Sequence, residues 1–358
     1  MYRFLFLVFV CTFAPLAHAA TYTVTPSDNL PAAIGRLQPG DTLYLKGTFN
    51  AQLHAQMGTS WPSGTASAPI TIASAPGETA VIAPSYSGDT FDMVYIAGAH
   101  YLTFDRLDFD ASHVQARGGA IIRQDDTATH IRVQNSRLHD YQTSGSGGAG
   151  LGVLGGSFGE YVGNDIFGNS GYGLYLPGES NLVDSNRIHD NNGYGVHIYG
   201  SSLSCPSFRC THDNVVRNNH IAHNGYNYAG TSGGCGIILA AGDNNQALNN
   251  VIEDNFTCGI QIYGYGTSGS KVIGNTIKAN KGVCIDVNPG AVGTVLRDNA
   301  CQENGGGIRD DGDGTTPSHN WIGTGAIPAG YGASGVVTGP VGRKQLPAPT
   351  KLRAQRVP

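Results

Sequence analysis

From residue 164 to residue 310 apolar and polar positions alternate in short bursts that return at a regular interval. The clearest unit reads Leu182-Val183-Asp184-Ser185-Asn186-Arg187-Ile188-His189-Asp190-Asn191-Asn192-Gly193-Tyr194-Gly195-Val196-His197-Ile198-Tyr199-Gly200. Two apolar residues, an Asn, an apolar residue two positions on, Asn or Asp, Gly and then apolar-x-apolar recur from Val215, Ala247, Val272 and Val295. The pairs Val196-x-Ile198, Ile260-x-Ile262 and Ile285-x-Val287 have a strand period, never a helical one. A repeat of about 22 to 25 residues built from short strands is a solenoid. Three strands per repeat, separated by Gly and Asn turns, specify an all-β fold, the right-handed parallel β-helix. Leucine-rich repeats would need a Leu-x-x-Leu-x-Leu frame, which these units lack.

Asn135, Asn164, Asn186, Asn219, Asn250, Asn275 and Asn299 mark successive coils. Stacked about 4.8 Å apart, their amides can bond along the turn in a ladder, a structural role. The ends of the chain differ from the repeat. Met1-Tyr2-Arg3, an apolar run over 4–13 and Ala17-His18-Ala19 read as a secretory signal peptide over 1–19, too short to stay in a membrane. The product is therefore expected to be secreted, extracellular or periplasmic, with no membrane span. Residues 20–90 are expected to hold an N-terminal cap and the first coils. There a short helix N-capped by Ser27 or Asp28, with Pro31 in its first turn and an end near Leu37, would cover the open core. The β-helix is placed at 91–316. Because the pattern dissolves after Asp311, 317–358 reads as a C-terminal cap and loose tail.

Glycine, 52 of 358 residues, is about twice its usual ~7% and falls at turns, as ordered β structure requires. The net charge of −5, with no basic stripe, argues against nucleic acid and heavily sulfated glycans as partners. Of the 7 cysteines all but Cys11 follow the leader, so disulfides are expected. Cys205 and Cys210 close a small loop, while Cys235 and Cys258 each precede Gly-Ile in consecutive coils. Cys301 holds the slot of Ile188, Ile221, Ile252 and Ile277, which points it into the core near Cys284. Their spacings do not suit zinc.

The run Leu37-Gln38-Pro39-Gly40-Asp41-Thr42-Leu43-Tyr44-Leu45-Lys46-Gly47, the strand Ala68-Pro69-Ile70-Thr71-Ile72 and the Asn-x-Ile and Gly-x-Gly-apolar repeats together resemble the pectin-lyase-like superfamily. That resemblance implies a polysaccharide partner, with polysaccharide lyases, uronate epimerases, glycoside hydrolases, phage tailspikes and adhesins all among its members; the chain is expected to be a monomer. It also implies a substrate groove over the strand that follows the Gly-x-Gly turn. Fold alone does not assign the reaction.

Aligning Gly119, Gly173, Gly195, Gly236, Gly259, Cys284 and Gly307 gives a first outward column of Ile121, Tyr175, His197, Ile238, Gln261, Asp286 and Arg309, and a second of Arg123, Pro177, Tyr199, Ala240, Tyr263, Asn288 and Asp311. Aromatic rings can stack on sugars, and His with Tyr can exchange protons. For β-elimination His197 is the candidate base, with Tyr175 or Tyr199 as acid or alternative base. Arg123, Gln261, Tyr263, Asp286 and Arg309 are candidate substrate-binding residues. Insertions near 142–150, 201–210 and 226–234 would wall the His197 rung. A hydrolase would need two carboxylates, for which Asp286 and Asp311 are candidates. Asp105, Asp108, Asp110, Asp125 and Asp126 make calcium possible, although solvated turn carboxylates explain them as well. His139, His189, His220 and His223 are expected at the surface, away from the groove.

Overall fold

The computed structural model describes residues 19–143, 150–200, 211–226 and 233–333. The chain winds repeatedly through three sheets whose strands pair in parallel. In the unit quoted above, Leu182–Asp184 lies in the first sheet, Arg187–His189 in the second and Val196–Ile198 in the third. Val215–Arg217 then returns beside Leu182–Asp184. Among the described residues the first sheet has 12 strands, the second 11 and the third 12.

Strand alternation places the core as expected. Ile188, Ile221, Ile252, Ile277 and Cys301 stack in register on the second sheet, all buried. From the third sheet Val196 and Ile198, Ile237 and Leu239, Ile260 and Ile262, and Ile285 and Val287 face them, also buried. The Cys284–Cys301 disulfide crosses this core, and Cys235–Cys258 joins consecutive coils. Cys205 and Cys210 lie outside the described residues.

The turn from the first sheet to the second is two residues long, a left-handed residue followed by a buried Asn. Ser185 (φ 60°) precedes Asn186, Asn218 (56°) precedes Asn219, and Gly274 (68°) precedes Asn275. Each buried amide bonds to the next: Asn164 Nδ2 donates to Asn186 Oδ1 at 3.0 Å, Asn186 to Asn219 at 2.9 Å, Asn219 to Asn250 at 2.9 Å, and the series continues through Asn275 and Asn299 to Asn320. Asn135 is not a rung. It holds the left-handed position (φ 51°), and Ser136 takes the ladder slot, its N–H donating to Asn164 Oδ1. A second ladder runs from Asn169 through Asn191, Asn224, Asn255 and Asn280 to Asn304, and a short third one joins Asn181, Asn214 and Asn245.

The ends depart from expectation in detail. The early helix is Leu30–Ile34, shorter than expected and capped by Asn29, whose side chain accepts from Ala32 N–H. Asp28 instead accepts from Thr25, which takes it out of the capping position. Leu30 and Ile34 are buried in the main core. After Asp311 two further strands, Thr316–Ser318 and Trp321–Gly323, extend the first and second sheets. Residues 1–18 and 334–358 lie outside the described set. Among described residues no helix is long and apolar enough to cross a membrane.

Candidate active site

The outward face of the third sheet carries one continuous column of side chains. Register pairs His54 with Tyr95, Tyr95 with Arg123, Arg123 with Leu154, Leu154 with Tyr175, and Tyr175 with His197. It continues through Ile238, Gln261, Asp286 and Arg309. From Tyr175 to Arg309 this is the expected first column. Before Tyr175 the expected column is two residues out of step. Ile121 is fully buried in the core, and Arg123 takes its place on the outer face. The strand Gly150–Leu154 is a further coil between Gly119 and Gly173, and its Gly152 stands level with Gly173, whereas Gly119 pairs with Gly150, two residues before that slot.

His197 sits inside a cage of tyrosines. Tyr172 and Tyr175 meet its ring edge-on at 5.0 and 4.9 Å, Tyr194 is tilted at 4.9 Å, and Tyr199 stacks at 5.4 Å with 12° between planes. The residue keeps some solvent exposure, yet Nδ1 is buried with no hydrogen-bond partner among described residues. Burial without a compensating charge pushes the imidazole down to about 3, so it is neutral at ordinary pH. Burial, and then Tyr199, raise the Tyr175 phenol. Tyr175 therefore stays protonated at ordinary pH. Tyr172 and Tyr194 were not anticipated. They precede the Gly-x-apolar strand, where alternation does not set direction.

Beyond Ile238 the face opens into a cavity of about 420 Å³, lined by Tyr194, Tyr263, the Cys235–Cys258 disulfide, Gln261, Asp286 and Arg309. Asp286 is buried and takes a bidentate ion pair from Arg309, whose Nε lies 2.7 Å from Oδ1. Gln261 Nε2 donates to Asp286 at 3.3 Å and to Asn288 at 3.0 Å. At the other end Arg123 lies over the Tyr95 ring at 5.0 Å and pairs with Asp92. With steps of about 4.8 Å, Arg123 stands three steps from His197 and Arg309 four. Neither cation converges on the histidine.

A family model described as "Right handed beta helix region" matches residues 91–213 and 162–322. The chain belongs to the right-handed β-helix family. No curated protein sequence matches it. Among solved β-helix structures, pectate lyase Pel9A is similar with a TM-score of 0.63 and 19% identity, covering 89% of this chain and 82% of that one. An alginate lyase from Paenibacillus sp. str. FPU-7 gives 0.57 and 21%, covering 84% and 99%. A GH136 lacto-N-biosidase from Eubacterium ramulus gives 0.54 and 14%, covering 86% and 68%. At such identities the likeness is one of fold.

The histidines of the second sheet need correction. His139 and His189 are buried rather than superficial, stacked on either side of Phe167 at 4.8 and 5.1 Å. Each ring bonds two carboxylates: His139 to Asp108 and Asp140 (both 2.8 Å), His189 to Asp165 (3.0 Å) and Asp190 (2.6 Å). Burial opposes the charge on His139, but its two aspartates outweigh it and raise the imidazole to about 9. His220 and His223 are less buried and pair with Glu253 and Asp190. The acidic residues considered for calcium are largely engaged: Asp105 with Arg106 and Asn135, Asp108 with Arg137 and His139, Asp125 with its own turn at Thr127 and Ala128. Asp110, His139 and Asp140 place ligand atoms within 4.8 Å of one another, but both His139 nitrogens are taken by aspartates.

Proposed function

We propose that the protein is a secreted monomeric enzyme that loses residues 1–19 and cleaves a uronate-containing polysaccharide by β-elimination in this groove. The observation that carries the reading is a histidine held neutral within a tyrosine cage, on a continuous outward face long enough to seat several sugars. A neutral imidazole can accept the C5 proton of a uronate. As the C4–O bond breaks, its electron pair leaves with the oxygen, which takes a proton from Tyr175. The new C4–C5 double bond remains on the sugar, and proton exchange with solvent restores His197 and Tyr175. Tyr199, flat against His197, offers a stacking surface for the ring. Arg123 and Arg309 are too far along the column to meet the same sugar, so they contact its neighbours.

C5-epimerisation would begin with the same proton abstraction and return the proton from the opposite face. Hydrolysis is the weaker reading, because Asp286 is locked to Arg309 and a free carboxylate pair is what that reaction needs. Ultraviolet absorbance of unsaturated uronate, followed on a panel of uronate polysaccharides with and without calcium, tests the proposal. Absorbance that rises with the wild type and not with His197→Ala supports it. A rise that survives in the variant moves the base elsewhere, and reducing ends formed without absorbance point to hydrolysis. Binding with neither signal points to a noncatalytic glycan-binding protein.

A further inference from the structure

The column carries two arginines, and both are already neutralised. Arg123 pairs with Asp92 at 3.2 Å and Arg309 with Asp286, and each aspartate side chain is only 5% exposed. A chain of uronates throughout would lay one carboxylate after another along a column whose described cations each have a carboxylate of their own. Long-range attraction for a polyanion is therefore small.

The cavity beyond Ile238 has a different chemistry. Its walls include Tyr194, Tyr263 and the Cys235–Cys258 disulfide, apolar surfaces that suit the face of a pyranose. Its polar groups include Thr257, Gln261 and the Asp286–Arg309 pair, the last an acceptor beside donors. A sugar hydroxyl both donates and accepts, so it can use the pair as it stands. A uronate carboxylate only accepts, and it would sit against Asp286. Two register steps, about 10 Å, separate Gln261 from His197.

Resting on the reading of this face as a uronate-glycan groove, we propose that the Gln261–Asp286–Arg309 cavity is a subsite for an uncharged sugar. The substrate is then a mixed polymer in which uronates alternate with or are spaced by neutral sugars.

Calorimetric titration of full-length His197→Ala, which should not turn over, tests this with three oligosaccharides of equal length: all-uronate, alternating uronate and neutral sugar, and all-neutral. The alternating oligomer should bind at least about tenfold more tightly than the all-uronate one. Gln261→Ala and Asp286→Asn, added to the His197→Ala background, should each weaken the alternating oligomer about tenfold, while Asp286→Asn should tighten the all-uronate one. Gln261→Ala keeps the test open if Asp286→Asn fails to fold, as a thermal melt would reveal. Tightest binding of the all-uronate oligomer overturns the proposal, as does indifference of the alternating oligomer to Gln261→Ala, or no binding of any of the three. Wild-type protein that binds the alternating oligomer but releases no unsaturated ends would sink the lyase while leaving this subsite in place.

Discussion

Asn219→Ala, in the middle of the first ladder, should be among the most destabilising single substitutions in the chain. Its Oδ1 accepts from Asn186 N–H at 2.8 Å and from Asn186 Nδ2 at 2.9 Å, and its Nδ2 donates to Val183 O and Asn250 Oδ1, both at 2.9 Å. Alanine removes all four bonds and leaves two donors of the buried Asn186 unpaired. At about 1–3 kcal/mol for each orphaned group, the loss should be about 3–5 kcal/mol after some relaxation. Asn320 closes the same ladder with three bonds, but it is half-buried and water can replace them. Asn320→Ala should cost under about 1 kcal/mol. Denaturant unfolding can be followed by Trp61 near one end and Trp321 in the last strand. Coils interact mainly with their neighbours, so both probes should be read for each variant. If Asn219→Ala shifts the midpoint no further than Asn320→Ala, the ladder is not the source of stability argued for it.

The His139 site makes stability depend on alkaline pH. Its folded value, about 9, lies above the unfolded ~6.5, so the stabilisation is complete below about pH 6.5 and is lost as pH rises through 9, by up to about 3 kcal/mol. Melting temperature against pH should decline over that window in the wild type and flatten in His139→Gln. The two described disulfides should differ in their contribution to stability. Replacing Cys235 and Cys258 together by serine opens a loop of 23 residues, which should lower stability by about 3 kcal/mol. Replacing Cys284 and Cys301 by alanine should cost more, because both sulfurs are in the core. Melting curves of the two double variants decide the order.

The periodicity made the fold legible because stacking repeats one physical problem at every coil. Once Ile188 is inside, register puts Ile221, Ile252, Ile277 and Cys301 inside too. The same logic correctly set the outward order from Tyr175 to Arg309. It failed at Ile121 because the anchor was wrong: Gly119 pairs with Gly150, two residues short of the glycine slot that Gly152 shares with Gly173, so Arg123 and not Ile121 stands in register with Leu154 and Tyr175. Asn135 failed for a related reason: Asn favours both the left-handed corner and the ladder slot beside it, and composition cannot tell which of the two it fills. The buried state of His139 and His189 was hidden differently. Outward residues on a solenoid are usually wet, and only the stack on Phe167 with flanking aspartates explains why these are not.

The depressed His197 base raises a chemical difficulty whose resolution can be measured. An imidazole near 3 is neutral and available, but it is a weak acceptor for a carbon-bound proton. Its depression comes from burial, so a negative charge arriving nearby should reverse part of it. A uronate carboxylate about 5 Å away, at an effective dielectric near 20, favours the imidazolium by about 3 kcal/mol, or about two pH units. The base would then titrate near pH 5 in the complex and near pH 3 in the free protein. Because kcat/KM reports the free protein and kcat the complex, their acid limbs should separate by about two units, with the kcat limb at higher pH. Coincident limbs near pH 6.5, the ordinary histidine value, would mean that His197 is not desolvated in solution as its cage implies, or that another group is the base.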